Sequence, residues 1–151
     1  MWETEQRKRM SIPKSDLQEI FHLSKITNLL CPGETAQVHS VHYDPPVIIK
    51  ERIYGELPSQ ADKEKREQMV QKYCEMWIHI DNNRSDNFLL GGSQNLVYID
   101  DLSLDYIWGW EQSLERLEWA IEKLPEPSKS QAKKHFERLD SVVRNYQEKL
   151  G

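Results

Sequence analysis

Between His79 and Asp105 the chain reads HIDNNRSDNFLLGGSQNLVYIDDLSLD, and this stretch concentrates most of its candidate chemistry. Asp81, Asp86 and Asn87 fall in one polar loop, and two short apolar runs then bring the chain back to Asp100 and Asp101. Carboxylate and amide oxygens are hard ligands, the kind that bind Mg²⁺ through one or two side chains and leave the remaining positions to water and phosphate. A loop and the far end of the following hairpin would hold such ligands side by side, so the residue types and spacing point to a Mg²⁺ and phosphate site.

The same residues have plainer readings. Asp and Asn side chains bond their own backbone in turns, so the loop taken alone is also what a simple helix-to-strand turn contains. Asp100 and Asp101, ending a strand, also suit an exposed edge or a helix cap. A calcium loop is the third option, since Asp81, Asn83 and Ser85 alternate. It fails because Asp86 stands where the sharp turn needs glycine and Gly92 where a bidentate Glu is needed. His39 and His42 are spaced i, i+3 on an expected strand, which points them to opposite faces and argues against a zinc pair. His22 and His135 fall on expected helices as surface or packing residues. No Ser or Cys has a neighbouring base in a nucleophile motif.

Positioning these groups requires a scaffold, and its pattern can be read in the apolar spacing. Residues 1 to 14 are charged and expected to be loosely ordered. Ser15 to Gln18 has the form of a capping box, and Leu17, Ile20, Phe21, Leu29 and Leu30 continue a helix over about 15 to 30. Cys31-Pro32-Gly33 stops it. Val38 to Val41 and Val47 to Ile53 predict two strands around the Asp44-Pro45-Pro46 turn. Ala61 to Ile78 predicts a second helix with Met69, Val70, Tyr73, Cys74 and Trp77 on its apolar stripe, which makes Cys74 a buried thiol. Phe88 to Leu90 and Leu96 to Ile99 predict a hairpin turned by Gly91-Gly92-Ser93. Leu114, Leu117, Ile121 and Leu124 mark a third helix. Ser128 opens a fourth, with a stripe of Ala132, Phe136, Leu139, Val143, Tyr146 and Leu150. Trp108, Trp110 and Trp119 are expected in or at the edge of the core. The fold class is α+β: a helix-dominated single domain over 15 to 151 with short β-hairpins.

Composition narrows the function classes. The chain has 151 residues, 38% hydrophobic and 30% charged, with five Trp, six Tyr and three Phe, which is the makeup of one folded domain rather than a disordered tail. A net charge of −5 with no basic face excludes sequence-independent nucleic-acid binding as a main activity. Two cysteines without CxxC spacing, no signal-peptide core and no apolar run near the ~20 residues of a membrane span predict a cytoplasmic protein without membrane association.

An acidic loop entered from a helix and left through a hairpin ending in Ile-Asp resembles the C-terminal lobe of the protein-kinase-like superfamily, which includes aminoglycoside phosphotransferases, lipid kinases and HipA-type kinases. The matching text is His79-Ile80-Asp81, Asn87-Phe88-Leu89-Leu90 and Val97-Tyr98-Ile99-Asp100. The resemblance implies ATP- and Mg²⁺-dependent phosphoryl transfer on a minimal kinase-like C-lobe. It makes Asp81 the base that accepts the proton of the attacking hydroxyl, and Asn87 and Asp100 the metal ligands. Val47-Ile48-Ile49-Lys50 resembles V-A-I-K and would make Lys50 the phosphate-binding lysine, while strand position alone turns Lys50 to solvent. The first helix, with Glu19, resembles the helix of the small lobe. Asp81 and Asn87 enclose five residues where the family pattern has four, so strict register from Asn87 puts Asn82 at the catalytic position. No glycine-rich phosphate loop precedes the first helix, and only thirty residues separate Lys50 from the loop. The alternative is therefore a pseudokinase-like interaction module that acts through a protein partner.

Overall fold

In the computed structural model, residues 14–106 and 109–150 are described, without the side chains of Lys14, Ser15 and Leu150. The chain runs α1 (Lys14–Leu30), β1 (Val38–Tyr43), β2 (Pro46–Lys50), α2 (Lys63–Glu75), β3 (Ile78–His79), β4 (Phe88–Leu90), β5 (Leu96–Tyr98), β6 (Ser103–Leu104), α3 (Trp110–Glu122) and α4 (Ser128–Leu150). The fold is α+β and helix-dominated, with short antiparallel pairs β1·β2, β3·β6 and β4·β5. Apart from Lys14, the segment expected to be loosely ordered lies outside the described residues, as do Trp108 and the side chain of the expected cap, Ser15. No helix among the described residues is long and apolar enough to cross a membrane.

Most of the helical stripe residues face the interior, although Ile20, Phe21, Leu29 and Leu30 of α1 are only partly buried and Tyr146 of α4 is exposed. Leu23 and Ile26 of α1, Met69 and Tyr73 of α2, Leu114, Leu117 and Ile121 of α3, and Ala132, Phe136, Leu139 and Val143 of α4 share one core with Phe88 and Tyr98 of the β4–β5 hairpin. At about 25 cal/mol per Å² of apolar surface, each fully buried Leu, Ile or Phe in that core contributes roughly 1.5–3 kcal/mol. Several expectations need correction. The second helix ends at Glu75, not Ile78: Met76 and Trp77 donate back to Tyr73 and Cys74 carbonyls, and Trp77 turns the chain in a left-handed conformation (φ 58°), so Ile78 leaves as a strand. Cys74 is exposed, because Met69 and Tyr73 take the inward face and the next residue rotates about 100° out of it; the buried thiol is Cys31. Trp119 is 52% exposed, with the cations of Arg116 and Lys123 over its ring, rather than in the core. Trp110 is half-buried and packs against the core.

The second strand stops at Lys50 rather than Ile53. After Glu51 bonds the Gln37 carbonyl, the chain leaves the β1–β2 hairpin and crosses to the other one, where Glu56 and Leu90 exchange two backbone hydrogen bonds (3.0 and 2.8 Å). On the opposite edge, Glu34 and Ala36 bond Tyr98 of β5. The β4–β5 hairpin is thus flanked on both sides by backbone from elsewhere, which fixes its position relative to α1 and β2. Its reversal uses a positive φ at Gln94 (62°), not at the glycines that marked it in the sequence.

α1 packs along α4, and there His22 and His135 face each other with their Nδ1 atoms 3.1 Å apart. Burial, the facing His135 ring and Arg138 hold His22 down to about 4 from its ordinary 6.5; burial, Lys25 and Arg138 also lower His135. Between those two pH values the unfolded chain binds a proton at His22 that the folded chain refuses, so stability falls as pH drops through the window. With solvent screening at this half-buried ring, the loss is about 1–2 kcal/mol. Urea midpoints at pH 7.5 and pH 4.5 check it, and His22→Gln is expected to flatten the difference.

Candidate functional site

Three short stretches meet at one end of the β4–β5 hairpin. The loop is entered from β3, which antiparallel pairing joins to β6 through Ile78 with Leu104 and His79 with Ser103. Alternating Ile78 and Ile80 are buried while His79 points out, so the loop begins from an anchored strand. β3 and β6, which lie before the loop and after Asp100, therefore close its base. The loop leaves through a 3₁₀ turn, Ser85–Asn87, directly into β4.

Asp81, Asn87 and Asp100 are brought to this end together. The Asn87 amide donates from Nδ2 to the Asp81 carbonyl (3.1 Å), and the Ile99 N–H donates to the Asn87 carbonyl (2.8 Å), so Asp100 follows directly beside Asn87. Between them rises Tyr98, whose hydroxyl accepts from the Asp81 N–H at 3.1 Å and lies 3.5 Å from the Asp101 carbonyl. Burial and the nearby carboxylates of Asp100, Asp81 and Asp101 push the Tyr98 phenol up, outweighing the Asp81 N–H bond, so it remains a neutral hydroxyl. Sequence reading missed Tyr98 as an organiser of the site. The only signal was its place two residues before Asp100, facing inward on a strand.

The individual carboxylates are partly engaged. Asp81 Oδ1 accepts from the Asn83 N–H (2.9 Å), an Asx turn within the loop, and Asp100 Oδ1 accepts from the Asp101 N–H (2.8 Å). Asp86 is not directed to the same place: it and Arg84 form an exposed two-pronged pair (2.9 and 2.5 Å), which holds the Asp86 carboxyl below the usual range. The hydrogen bond and charge of Asp86, then the charges of Asp81 and Asp100, raise Arg84, so this guanidinium stands within the field of all three acids. Asn82, which strict register would put at the catalytic position, accepts from Arg66 Nη1 of α2 at 3.1 Å.

Lys50 is the largest departure from the strand reading. It does not face solvent: its side chain is 2% exposed and its Nζ lies 2.6 Å from Asp101 Oδ1 and 3.0 Å from the Ile99 carbonyl. β2 thus delivers an ammonium to the residues on either side of Asp100. Asp101, at 14% side-chain exposure, is likewise neither an exposed edge carboxylate nor a helix cap. Glu19 of α1 accepts instead from the Tyr106 hydroxyl, and burial raises the Glu19 carboxyl.

Chemically, the hairpin end presents oxygen donors on a firm base, with one buried lysine. Four carboxylates against Lys50 and Arg84 leave the surroundings net negative, so a phosphate would be accepted there only with a divalent cation. Among the described residues no three His, Cys, Asp or Glu side chains form a metal cage. Asp100 and Asn87 carry one carboxylate and one amide oxygen, hard donors of the type Mg²⁺ takes when water and phosphate complete its shell. No protein family, no curated protein and no solved structure matches the chain.

Proposed function

We propose that the hairpin end is a kinase-like phosphoryl-transfer site that uses ATP and Mg²⁺, with the acceptor a hydroxyl of unidentified substrate. The single observation that carries this reading is Lys50: a lysine forty-nine residues upstream of Ile99 is buried against that residue's carbonyl and against Asp101, flanking Asp100. The pair with Asp101 stabilises the fold in its own right, and its place beside Asp100 is where a bound phosphate chain would need a cation.

In this reading Asn87 and Asp100 hold Mg²⁺, which when bound would neutralise phosphate charge. Asn87 is oriented for it, since its Nδ2 is committed to the Asp81 carbonyl and the amide oxygen is the remaining ligand atom. Asp81 accepts the proton of the attacking hydroxyl through its carboxylate. Lys50 is the residue that would pair with phosphate oxygens beside Asp100, and Tyr98 keeps the loop and the hairpin end in register. A cytoplasmic setting, where ATP and Mg²⁺ are abundant, goes with this assignment.

A second reading rests on a specific observation as well. Asn82 at the strict catalytic register is tied to Arg66, and Asp81 Oδ1 is turned into its own loop. Both favour a non-catalytic, pseudokinase-like module that works through a protein partner, with exposed Trp119 as a natural contact. Phosphate transfer from labelled ATP to a panel of peptide, lipid and small-molecule hydroxyls separates the two. If Asp81 is the base, Asp81→Ala lowers the rate about 10²- to 10⁴-fold. Transfer that survives Asp81→Ala but is lost in Asn82→Ala would reassign the role, and nucleotide binding without transfer would favour the module.

A further inference from the structure

The geometry points to a second metal site, distant in sequence from the first and independent of it: His22 of α1 and His135 of α4 form a two-histidine site for a borderline divalent transition metal, of the class of Zn²⁺, Ni²⁺ or Cu²⁺. The two rings come from separate helices 113 residues apart in sequence, yet their Nδ1 atoms are 3.1 Å apart, with ring centroids 5.4 Å apart and planes inclined by 42°. Zinc bonds imidazole nitrogen at about 2.0–2.1 Å, so the edge of a tetrahedron around it is about 3.3 Å, and a square-planar ion of similar bond length gives about 2.9 Å. The observed separation lies between these two values.

The rings are also in the right state. Two imidazoles facing through Nδ1 satisfy each other when one donates and the other accepts, and burial with the nearby cations lowers the proton affinity of both rings, which keeps them neutral near pH 7. Neutral imidazole is the metal-binding form. A cation between the two Nδ1 atoms takes the place of that proton, which moves to Nε2 of the donor ring, so both ligands stay neutral and no net proton is released. Phe21 stands edge-on to both rings, 5.1 Å from His22 and 6.2 Å from His135, and restrains them from turning away. The groups that face the pair are Phe21, Lys25 and Arg138. Both cations weaken the site, and among the described residues no third His, Cys, Asp or Glu joins the pair, so water completes the shell and affinity is modest. Because α1 and α4 each contribute a ligand, the bound ion ties these helices together.

The test uses the full chain with Zn²⁺ alone, followed by calorimetry, and with Cu²⁺ alone, followed by electron paramagnetic resonance. One equivalent of Zn²⁺ is expected, with a Cu²⁺ signal split by two imidazole nitrogens. Either His22→Gln or His135→Gln is expected to remove the zinc heat and one nitrogen from the copper signal. The heat is expected to survive in Asp100→Ala and in the His39→Gln/His42→Gln double variant. Circular dichroism without metal shows that each variant is folded, and if one histidine variant is not, the other carries the test. No zinc binding by the unaltered chain would overturn the assignment. So would binding unchanged by both histidine substitutions, or lost only on changing His39 and His42 or Asp100.

Discussion

Lys50→Met is expected to lower folding stability by about 3 kcal/mol, the low end of what breaking a buried ion pair costs. Removing the ammonium leaves the Asp101 carboxylate at 14% exposure without its 2.6 Å partner and the Ile99 carbonyl without its 3.0 Å donor. Asp101 retains some contact with water, which keeps the loss from the top of the range. The loss is read from guanidinium denaturation with an unchanged slope. Lys50→Met/Asp101→Leu is expected to recover most of it, because an apolar pair of similar volume in a dry site costs little. A loss below about 1 kcal/mol in the single variant would mean that the pair behaves as an exposed salt bridge, contrary to its burial.

Gly55→Ala is expected to cost about 2–4 kcal/mol, through backbone displacement rather than a cavity. A Cβ at Gly55 would stand 2.1 Å from the Leu90 carbonyl oxygen and 2.8 Å from its carbon. Backbone atoms cannot swing aside, so the segment must lift and surrender the two Glu56–Leu90 hydrogen bonds. Gly91→Ala provides the contrast: its added Cβ meets the nearest atoms, the Asn95 carbonyl oxygen and Val97 Cγ2, only at 3.8 and 3.9 Å. It should cost well under 1 kcal/mol, within the range of ordinary surface changes. Denaturant midpoints measure both. Faster amide exchange at Leu90 in Gly55→Ala alone would identify the lost bridge as the cause.

These two positions also mark the boundary of what the sequence makes legible. Local patterns sufficed for elements whose partners lie nearby: the apolar triplets Phe88–Leu90 and Leu96–Tyr98 pair as a hairpin, and Leu17 of α1, Leu114, Leu117 and Ile121 of α3 and Ala132, Phe136, Leu139 and Val143 of α4 are buried, whereas Tyr146 at the end of the α4 stripe is exposed. The spacing of Asn87 and Asp100 puts them at the two ends of one hairpin, so their proximity follows from that pairing. Lys50 could not be read this way. Strand alternation assigns it a face, but whether that face meets solvent depends on a hairpin end about fifty residues later. The close approach of Gly55 to Leu90 is likewise invisible in the local sequence, because that neighbour is distant in the chain. Cys74 misled because it continues the apolar pattern of α2, although the helix buries Met69 and Tyr73 and packs Val70 partly against the core, while Cys74 turns to solvent.

The most direct measurement of the central claim, that Asn87, Asp100 and Lys50 converge to hold a metal-bound phosphate, is the melting temperature with and without ATP and Mg²⁺. At a nucleotide concentration ten times the dissociation constant, binding adds about 1.4 kcal/mol, a shift of roughly 3–6 °C for a chain of this size. The account predicts that shift with ATP and Mg²⁺ together, a much smaller one with either alone, and its loss in Asp100→Ala. An unchanged melting temperature at millimolar ATP and Mg²⁺, or an equal shift in Asp100→Ala, would contradict it.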